Sequence, residues 1–132
     1  MIYSVKDYGA LGDGVTDDTV AINNAIVAAN VAGGGTVYFP TGIYMIGAIN
    51  TAVGISVLSN IKLLGAGIAA SILRLKNGGN AHVLQIADAV NVSISDLTVD
   101  GNRANQTLLG THCIRVSGVD KLHITRCTIR EA

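Results

Sequence analysis

The chain has 132 residues, of which 49% are hydrophobic and 14% are charged, and its formal net charge at pH 7 is zero. This composition indicates one folded domain with a substantial core and excludes a disordered chain. The zero net charge argues against nonspecific binding to nucleic acid or to an anionic membrane, and no apolar run reaches the roughly 20 residues of a membrane span.

The first 35 residues are predicted to form a loop and one helix. Residues 7–18 are rich in glycine and aspartate, and residues 17–32 carry apolar side chains at helical spacing. The predicted buried face of this helix contains Ala21, Ile22, Ala25, Ile26 and Ala29. The side chains of Thr16, Asp17 and Asp18 are candidate N-caps, and the glycines at 33–35 supply the backbone freedom that ends the helix.

After residue 35 the apolar period changes from 3.6 to two, and a segment of the chain repeats. Residues 82–102 align without a gap over residues 112–132, and a weaker copy precedes them. Six columns are apolar in both copies: Leu84/Ile114, Ile86/Val116, Val92/Leu122, Ile94/Ile124, Leu97/Cys127 and Val99/Ile129. The alternation breaks between Ile94 and Leu97, so each copy contains short strands separated by turns. A fixed period of this kind predicts a mainly β fold, a parallel β-helix with three short strands per coil.

The N-terminal helix is predicted to cover one end of this β-helix. We therefore predict a single domain over residues 1–132, with the loop and capping helix at 1–35 and the stacked coils at 36–132. Ile129 is the last inward-facing residue, and no second cap follows it. From this we expect the chain to be the N-terminal portion of a longer module.

Three blocks of sequence resemble the pectate-lyase-like superfamily of right-handed β-helices. They are VKDYGALGDGVTDDT, GGGTVYFPTGIY and NIKLLGAG, within residues 5–67. The stretch DLTVDGNRANQT at 96–107 is similar to the corresponding part of the catalytic modules of bacterial mannuronan C5-epimerases. The resemblance implies a secreted, extracellular β-helix that acts on polysaccharides, often with bound calcium, although no signal peptide is visible here.

The resemblance further implies action on uronate polymers by lyase or C5-epimerase chemistry. In the epimerases the catalytic Tyr, Asp and His lie in a motif one coil beyond the part that residues 112–132 resemble. No catalytic residue can therefore be assigned, and the isolated chain is expected to be inactive. The superfamily also includes phage tailspikes, so a trimeric adhesive β-helix that binds glycans without chemistry is the alternative, and a bare scaffold is a third.

Residues 100–110 form the longest excursion within the repeats and are predicted to bind an acidic sugar. This loop is expected to overhang the first strand of the repeat, where Gln85 and Arg115 point outwards. Arg103 and Arg115 together match the forked geometry of a carboxylate. The candidate substrate-binding residues are Gln85, Asp100, Asn102, Arg103 and Arg115. An ordinary solvated loop is the competing interpretation. Because no Trp is present and every Tyr lies at or before residue 44, an acidic polymer is favoured over a neutral one.

Simpler structural roles also account for several polar residues. Asp96 lies over Arg126 and Asp100 over Arg130, which predicts ion pairs between neighbouring coils. The acidic residues of the N-terminal loop lack EF-hand spacing, so the predictions include no metal ligand, and calcium rests on the resemblance alone.

Two pairs of like residues complete the sequence predictions. His82 and His112 share a column, which favours a stacked pair over a metal site because no third ligand stands nearby in sequence. Cys113 and Cys127 have opposite parity, so no disulfide is expected between them, and Cys113 is predicted to face away from the axis.

Overall fold

The computed structural model describes residues 1–49, 52–107 and 112–131. Short parallel strands wind through these ranges in successive coils. In chain order the elements are β1 (Ile2–Ser4), β2 (Asp13–Asp17), α1 (Thr19–Val31), β3 (Gly35–Phe39), β4 (Gly42–Ile46), β5 (Val53–Val57), β6 (Ile61–Gly65), β7 (Ser71–Leu75), β8 (His82–Ala87), β9 (Val90–Ser95), β10 (Thr98–Asp100), β11 (Ile114–Ser117), β12 (Asp120–Thr125) and β13 (Thr128–Arg130).

The strands form three parallel sheets. Sheet A has the order β1-β3-β6-β9-β12, sheet B the order β13-β10-β7-β4-β2, and sheet C the order β11-β8-β5. From β3 to β11 the chain places successive strands in A, then B, then C, and each coil stacks on the one before; in the first coil α1 follows β1 and β2. The predicted fold class, a mainly β parallel β-helix with three short strands per coil and one N-terminal helix, is confirmed.

Residues at equivalent positions of successive coils form columns inside the β-helix. Val37 pairs with Leu63, Leu63 with Ile94, and Ile94 with Ile124. The repeat predicted the pairing of Ile94 with Ile124. The first three of these side chains are fully buried. Burial of each contributes about 1.5–3 kcal/mol. The core therefore runs along the axis as ladders of aliphatic side chains, and the polar residues between them face outwards.

The helix α1 covers the N-terminal end of the coil, as predicted. It packs against β3 and β5, and its buried residues include Ile22, Ile26 and Ala29. The Asn23 amide donates to the Gly54 carbonyl, and its oxygen accepts from the Ser56 amide. The side chain thus satisfies the otherwise open edge of β5. No helix in the described residues is long and apolar enough to cross a membrane.

The N-terminal segment differs from its prediction in two ways. First, residues 1–35 contain the strands β1 and β2, which join sheets A and B, and the helix spans Thr19–Val31 instead of 17–32. Second, Asp18 does not cap α1 through its side chain. Its carboxylate is buried and accepts hydrogen bonds from the Leu11 and Gly12 amides, at 3.0 Å each. Sequence spacing could not show this, because the bond crosses the loop.

Cys113 and Cys127 are both free thiols. Cys113 is buried, although its parity predicted an outward position. The neighbouring coil covers it, since a Cβ at Gly101 would lie 3.0 Å from Cys113 Sγ and the thiol lies 3.3 Å from Glu131 Oε1. Burial, with the Glu131 carboxylate, raises the pKa of Cys113 to about 12.

Candidate functional site

Four of the five candidate binding residues divide between two surfaces. Asp100 and Asn102 line a groove on the outer face of sheet B. Gln85 and Arg115 are neighbours on the outer face of sheet C. Arg103 is exposed, and its Nη1 donates to Glu131 Oε2 at 2.9 Å. The joint binding of one carboxylate by Arg103 and Arg115 stays a prediction.

Asp100 is the centre of a charged column along sheet B. Met45, Arg74, Asp100 and Arg130 occupy successive positions of this outward-facing column. The Nε atoms of Arg74 and Arg130 donate to the same Asp100 oxygen, Oδ2, at 3.1 and 3.2 Å. The second carboxylate oxygen, Oδ1, accepts a hydrogen bond from the backbone amide of Asn102 at 2.9 Å. The Asp100 side chain is therefore only 4% exposed although it faces outwards, and the predicted Asp100–Arg130 pair is confirmed.

The two arginines keep much of their hydrogen-bonding capacity. Their side chains are 32% and 41% exposed, for Arg74 and Arg130 respectively. Within the described residues, each makes its hydrogen bond to Asp100 through Nε, while the terminal guanidinium nitrogens carry further donors. Asp100 thus fixes the position of both side chains and leaves their terminal nitrogens available to an anionic ligand.

The groove has a volume of about 720 Å³ and is open to solvent along the sheet. Three cations and one carboxylate stand among its lining residues. The lining residues are Gly14, Met45, Arg74, Lys76, Asn77, Asp100, Asn102 and Arg130. Such a surface suits a ligand that carries carboxylate groups, because guanidinium groups bind carboxylates in a forked geometry.

Lys76 belongs to the groove through a second ion pair. Its Nζ lies 3.0 Å from Asp17 Oδ2, and both side chains are substantially exposed. Partial burial would raise the pKa of Asp17, but hydrogen bonds from Thr19 and the Lys76 ammonium outweigh it and lower that pKa. This pair ties the N-terminal strand β2 to the turn that follows β7.

Asn102 places the described part of the loop, residues 101–107, at the edge of the groove. The side-chain nitrogen Nδ2 of Asn102 donates to the Leu75 carbonyl at 2.9 Å and to Asn77 Oδ1 at 2.8 Å. The Gln106 amide donates to the Lys76 carbonyl at 2.9 Å. This described part of the loop therefore packs on the turn after β7, whereas we expected it to overhang the first strand of the repeat. The rest of that loop, 108–110, lies outside the described residues.

The face of sheet C carries the other two candidates. Ser56, Gln85 and Arg115 follow one another in register along it. Beside them His82 and His112 stack with ring centroids 5.3 Å apart, as predicted, and the His112 backbone amide donates to His82 Nδ1 at 2.8 Å. Burial lowers the pKa of His82, and the charges of His112 and Arg115 lower it further.

The second predicted ion pair between coils is also present. Arg126 holds the Asp96 carboxylate through two nitrogens, at 2.7 and 3.0 Å. The hydrogen bond from Arg126 lowers the pKa of Asp96 below its ordinary value. This pair supports the turn between sheets A and B, away from both candidate surfaces.

The carboxylates of the N-terminal loop do not fit a calcium site. Asp13 Oδ1 accepts from the amides of Val15 and Thr16, and Asp18 and Asp17 are engaged as described above. Across residues 1–49, 52–107 and 112–131, no three His, Cys, Asp or Glu side chains come together as a metal ligand set. Calcium therefore stays an expectation from the resemblance, and no step is assigned to it.

Sequence reasoning missed Arg74, Lys76 and Asn77. Asp100 is 30 residues from Arg130 but only 26 from Arg74, so the fixed period of the repeat does not align the second pair. Aligning strand with strand finds this second pair, because Arg74 in SILRL of β7 lies in register with Asp100 in TVD of β10. Turn lengths between coils vary, whereas the strand register does not.

Comparison with known proteins agrees with this architecture. The profile of the rhamnogalacturonase A/epimerase, pectate lyase-like family matches residues 2–130. Mannuronan C5-epimerase AlgE2 of Azotobacter vinelandii is 46% identical over 113 residues, which are 80% of this chain and 11% of that protein.

Solved structures show the same relationship. The A-module of A. vinelandii mannuronan C-5 epimerase AlgE6 superposes with a TM-score of 0.87 at 36% identity, over 98% of this chain and 38% of that one. The ORF18 protein of Geobacillus virus E2 superposes with a TM-score of 0.70 at 34% identity, over 93% of this chain and 24% of that one. The chain thus spans well under half the length of these relatives.

Proposed function

Because the chain belongs to the rhamnogalacturonase A/epimerase, pectate lyase-like family, we propose that it is a substrate-binding segment of a β-helix that modifies uronate polymers. One observation carries this proposal. Asp100 holds Arg74 and Arg130 in an open groove with their terminal nitrogens available. Preset guanidinium groups on a rigid sheet lose little conformational freedom when they bind a carboxylate.

The composition of the groove favours an acidic polymer over a neutral one. No aromatic side chain is among its lining residues, so a pyranose ring has no stacking platform there. Charge and hydrogen bonds must then supply the affinity. The epimerase relatives support the same class of ligand, since the name of AlgE2 specifies a polyuronate, mannuronan. An extracellular location follows from the proposal, because such polymers are met outside the cell.

The chemistry proposed for the parent class is removal of the C5 proton of a uronate, which needs a base, an acid and neutralisation of the carboxylate. We assign only the last of these to this chain, through its arginines. The 132 residues alone are therefore expected to bind without turnover. Unsaturated products released from alginate, or epimerised sugars detected by NMR, would overturn this part of the proposal.

The binding proposal is tested by titration calorimetry of the 132-residue chain with polymannuronate at low and high salt. We expect binding that weakens as salt is added, because the contacts are ionic. The matched ligand is the same polymer with its carboxyl groups reduced to alcohols, which should not bind. Equal affinity for the two polymers would refute the proposal.

Three charge-removing variants identify the surface responsible. Arg74→Gln should weaken binding if the sheet B groove is used, and Arg115→Gln should do so if the face of sheet C is used. Lys62→Gln, an exposed cation on sheet A, is the control for loss of charge alone. If all three variants bind like the unaltered chain, neither surface is the site.

The second candidate function is an adhesive or structural β-helix. The fold alone does not separate the two classes, since the chain superposes both on an epimerase module and on the ORF18 protein of a virus. Two measurements distinguish the enzymatic from the adhesive candidate: light scattering gives the oligomeric state, and an assay of the longer parent module shows whether it has turnover. A stable trimer that binds glycans, from a parent without turnover, would favour the adhesive candidate.

A further inference from the structure

We infer that Asn77 is a site of spontaneous deamidation and that the loop at residues 101–107 controls the rate of this reaction. Asn77 is the one asparagine of the sequence that is followed by glycine, Gly78. Both residues are exposed in the turn after β7, and Asn77 lines the groove on sheet B. The reaction places a new carboxylate in that groove, and it takes place whether or not the groove binds a uronate polymer.

The chemistry needs only the chain itself and water. The backbone nitrogen of Gly78, once it has lost its proton to the solvent, attacks Cγ of Asn77 and forms a new C–N bond. The Cγ–Nδ2 bond breaks, and Nδ2 takes up a proton from the solvent and leaves as ammonia. Water then adds to one of the two carbonyl carbons of the resulting succinimide and opens the ring. The products are aspartate or isoaspartate at this position, and nothing is oxidised or reduced.

The glycine at position 78 makes this attack sterically easy. It has no Cβ, so nothing on that residue shields its backbone nitrogen from the side chain of Asn77. The space around the turn is also open, since a Cβ built at Gly78 would meet no atom within 4 Å. A succinimide ring can therefore form here without a clash with the neighbouring coil.

The folded loop restrains both reacting groups. The backbone nitrogen of Gly78 donates to the Asn105 carbonyl at 2.8 Å. Oδ1 of Asn77 accepts from Nδ2 of Asn102 at 2.8 Å, which fixes the orientation of the amide that is attacked. The Gly78 nitrogen must turn towards Cγ of Asn77 to react, and it must first leave Asn105. The reaction is therefore confined to the moments when the loop separates from the turn.

Gln106 is the side chain that holds the loop on this turn. Its Nε2 donates to the Lys76 carbonyl at 2.9 Å, and its Oε1 accepts from the backbone amide of Asn80 at 2.8 Å. These two contacts lie on either side of Asn77 and Gly78 in the sequence. Removal of the Gln106 side chain therefore loosens the loop without altering any reacting atom.

Peptide mass spectrometry of the 132-residue chain, kept at mildly alkaline pH, measures the reaction. The peptide that contains Asn77 gains the mass difference between an amide and a carboxyl group. We expect the folded chain to react at least about tenfold more slowly than the chain unfolded in urea, because only the open loop is reactive. Equal rates would refute control by the loop. An unfolded chain without product at Asn77 would refute the site itself.

A variant tests the role of the loop directly. In Gln106→Ala the folded chain should deamidate about tenfold faster, because two side-chain contacts of the loop are lost. Arg126→Gln is the matched control, since it breaks the ion pair with Asp96 at a turn away from the groove and should leave the rate unchanged. Thermal melts establish that both variants are folded. An unchanged rate in folded Gln106→Ala would refute the inference.

The product also changes the charge of the groove. Three cations and one carboxylate stand among the lining residues, and deamidation of Asn77 adds a second carboxylate. Asn77→Asp should therefore weaken the binding of polymannuronate several-fold at low salt. This last readout rests on the proposed function, whereas the reaction rates do not. If polymannuronate binds neither form, the proposed function fails and the deamidation site stands. If it binds both forms equally, the effect on the groove is refuted.

Discussion

Two regions of the described coils differ sharply although they repeat one sequence pattern. In the covered coil Ile94 and Val99 are fully buried, whereas their counterparts in the last coil, Ile124 and Ile129, are 38% and 48% exposed. At the opposite end α1 covers the first coils, and its own inward residues are fully buried. The difference teaches that stacking, and not the alternation of residues, decides how much each column contributes to stability.

The groove on sheet B joins these two regions. Arg74 and Asp100 lie on strands with a neighbour on both sides, while Arg130 lies on β13, which pairs on one side with β10 in the described residues. The buried carboxylate of Asp100 therefore anchors a residue of the less protected coil. Ligand binding across the groove should protect this coil, because a ligand that contacts only the folded form stabilises it.

The largest change in stability is expected in the column that contains Ile94 and Ile124, where both regions have an isoleucine. Ile94→Ala should lower the free energy of unfolding by about 2–5 kcal/mol, because it leaves a cavity in the covered core. Ile124→Ala should cost much less, since that side chain is already partly exposed. Urea denaturation of both variants measures the difference. Equal losses would mean that the last coil is covered in solution.

A smaller effect is expected at the capped end. Asp18→Ala removes the buried acceptor of the Leu11 and Gly12 amides and should cost about 1–3 kcal/mol. Asp13→Ala is the matched control, because the Asp13 carboxylate is exposed and accepts only from nearby residues in its own loop. Thermal unfolding of both variants checks this. A larger loss for Asp13→Ala would contradict our account of the cap.

The turns before sheet A offer a stabilising change in the exposed coil. Asn60, Asn91 and Lys121 all have left-handed backbone conformations, with φ of 63°, 65° and 62°. Asn tolerates this conformation better than Lys. Lys121→Asn should therefore raise stability by up to about 1 kcal/mol, and Asn91→Lys should lower it similarly. If calorimetric melts show no change in either direction, backbone strain at this column is negligible.

The smallest effect is a pH dependence at the stack between the two coils. The pKa of His82 is lowered from 6.5 in the folded state, so the neutral ring is favoured. The contribution of the neutral His82 ring to the free energy of unfolding is complete above pH 6.5. It is lost as the pH falls from 6.5 towards the pKa of His82 in the folded state, because the unfolded chain takes up the proton first. His82→Gln should flatten the unfolding free energy over that interval. An unchanged slope would exclude His82 as its source.

Much of the fold could be predicted because the chain repeats. The six apolar columns and the ion pairs Asp96–Arg126 and Asp100–Arg130 follow from parity and a fixed offset of 30 residues, and the capping helix follows from apolar residues at helical spacing. The site was less predictable. Arg74 joins Asp100 at an offset of 26, because the turns between coils differ in length while the strands stay in register. The buried role of Asp18 also depends on a loop that no periodicity describes.

The amino-acid sequence by itself determined the coiled parallel architecture, since inward and outward residues alternate on a period that only stacked strands satisfy. It also determined which residues of the repeat form the six apolar columns. Tertiary structure alone decided which of these polar residues meet: it separated Gln85 and Arg115 from Asp100 and brought Arg74, Lys76 and Arg130 to one groove. The physical reason is that neighbours across coils are set by strand register, whereas distance along the chain depends on turns of variable length.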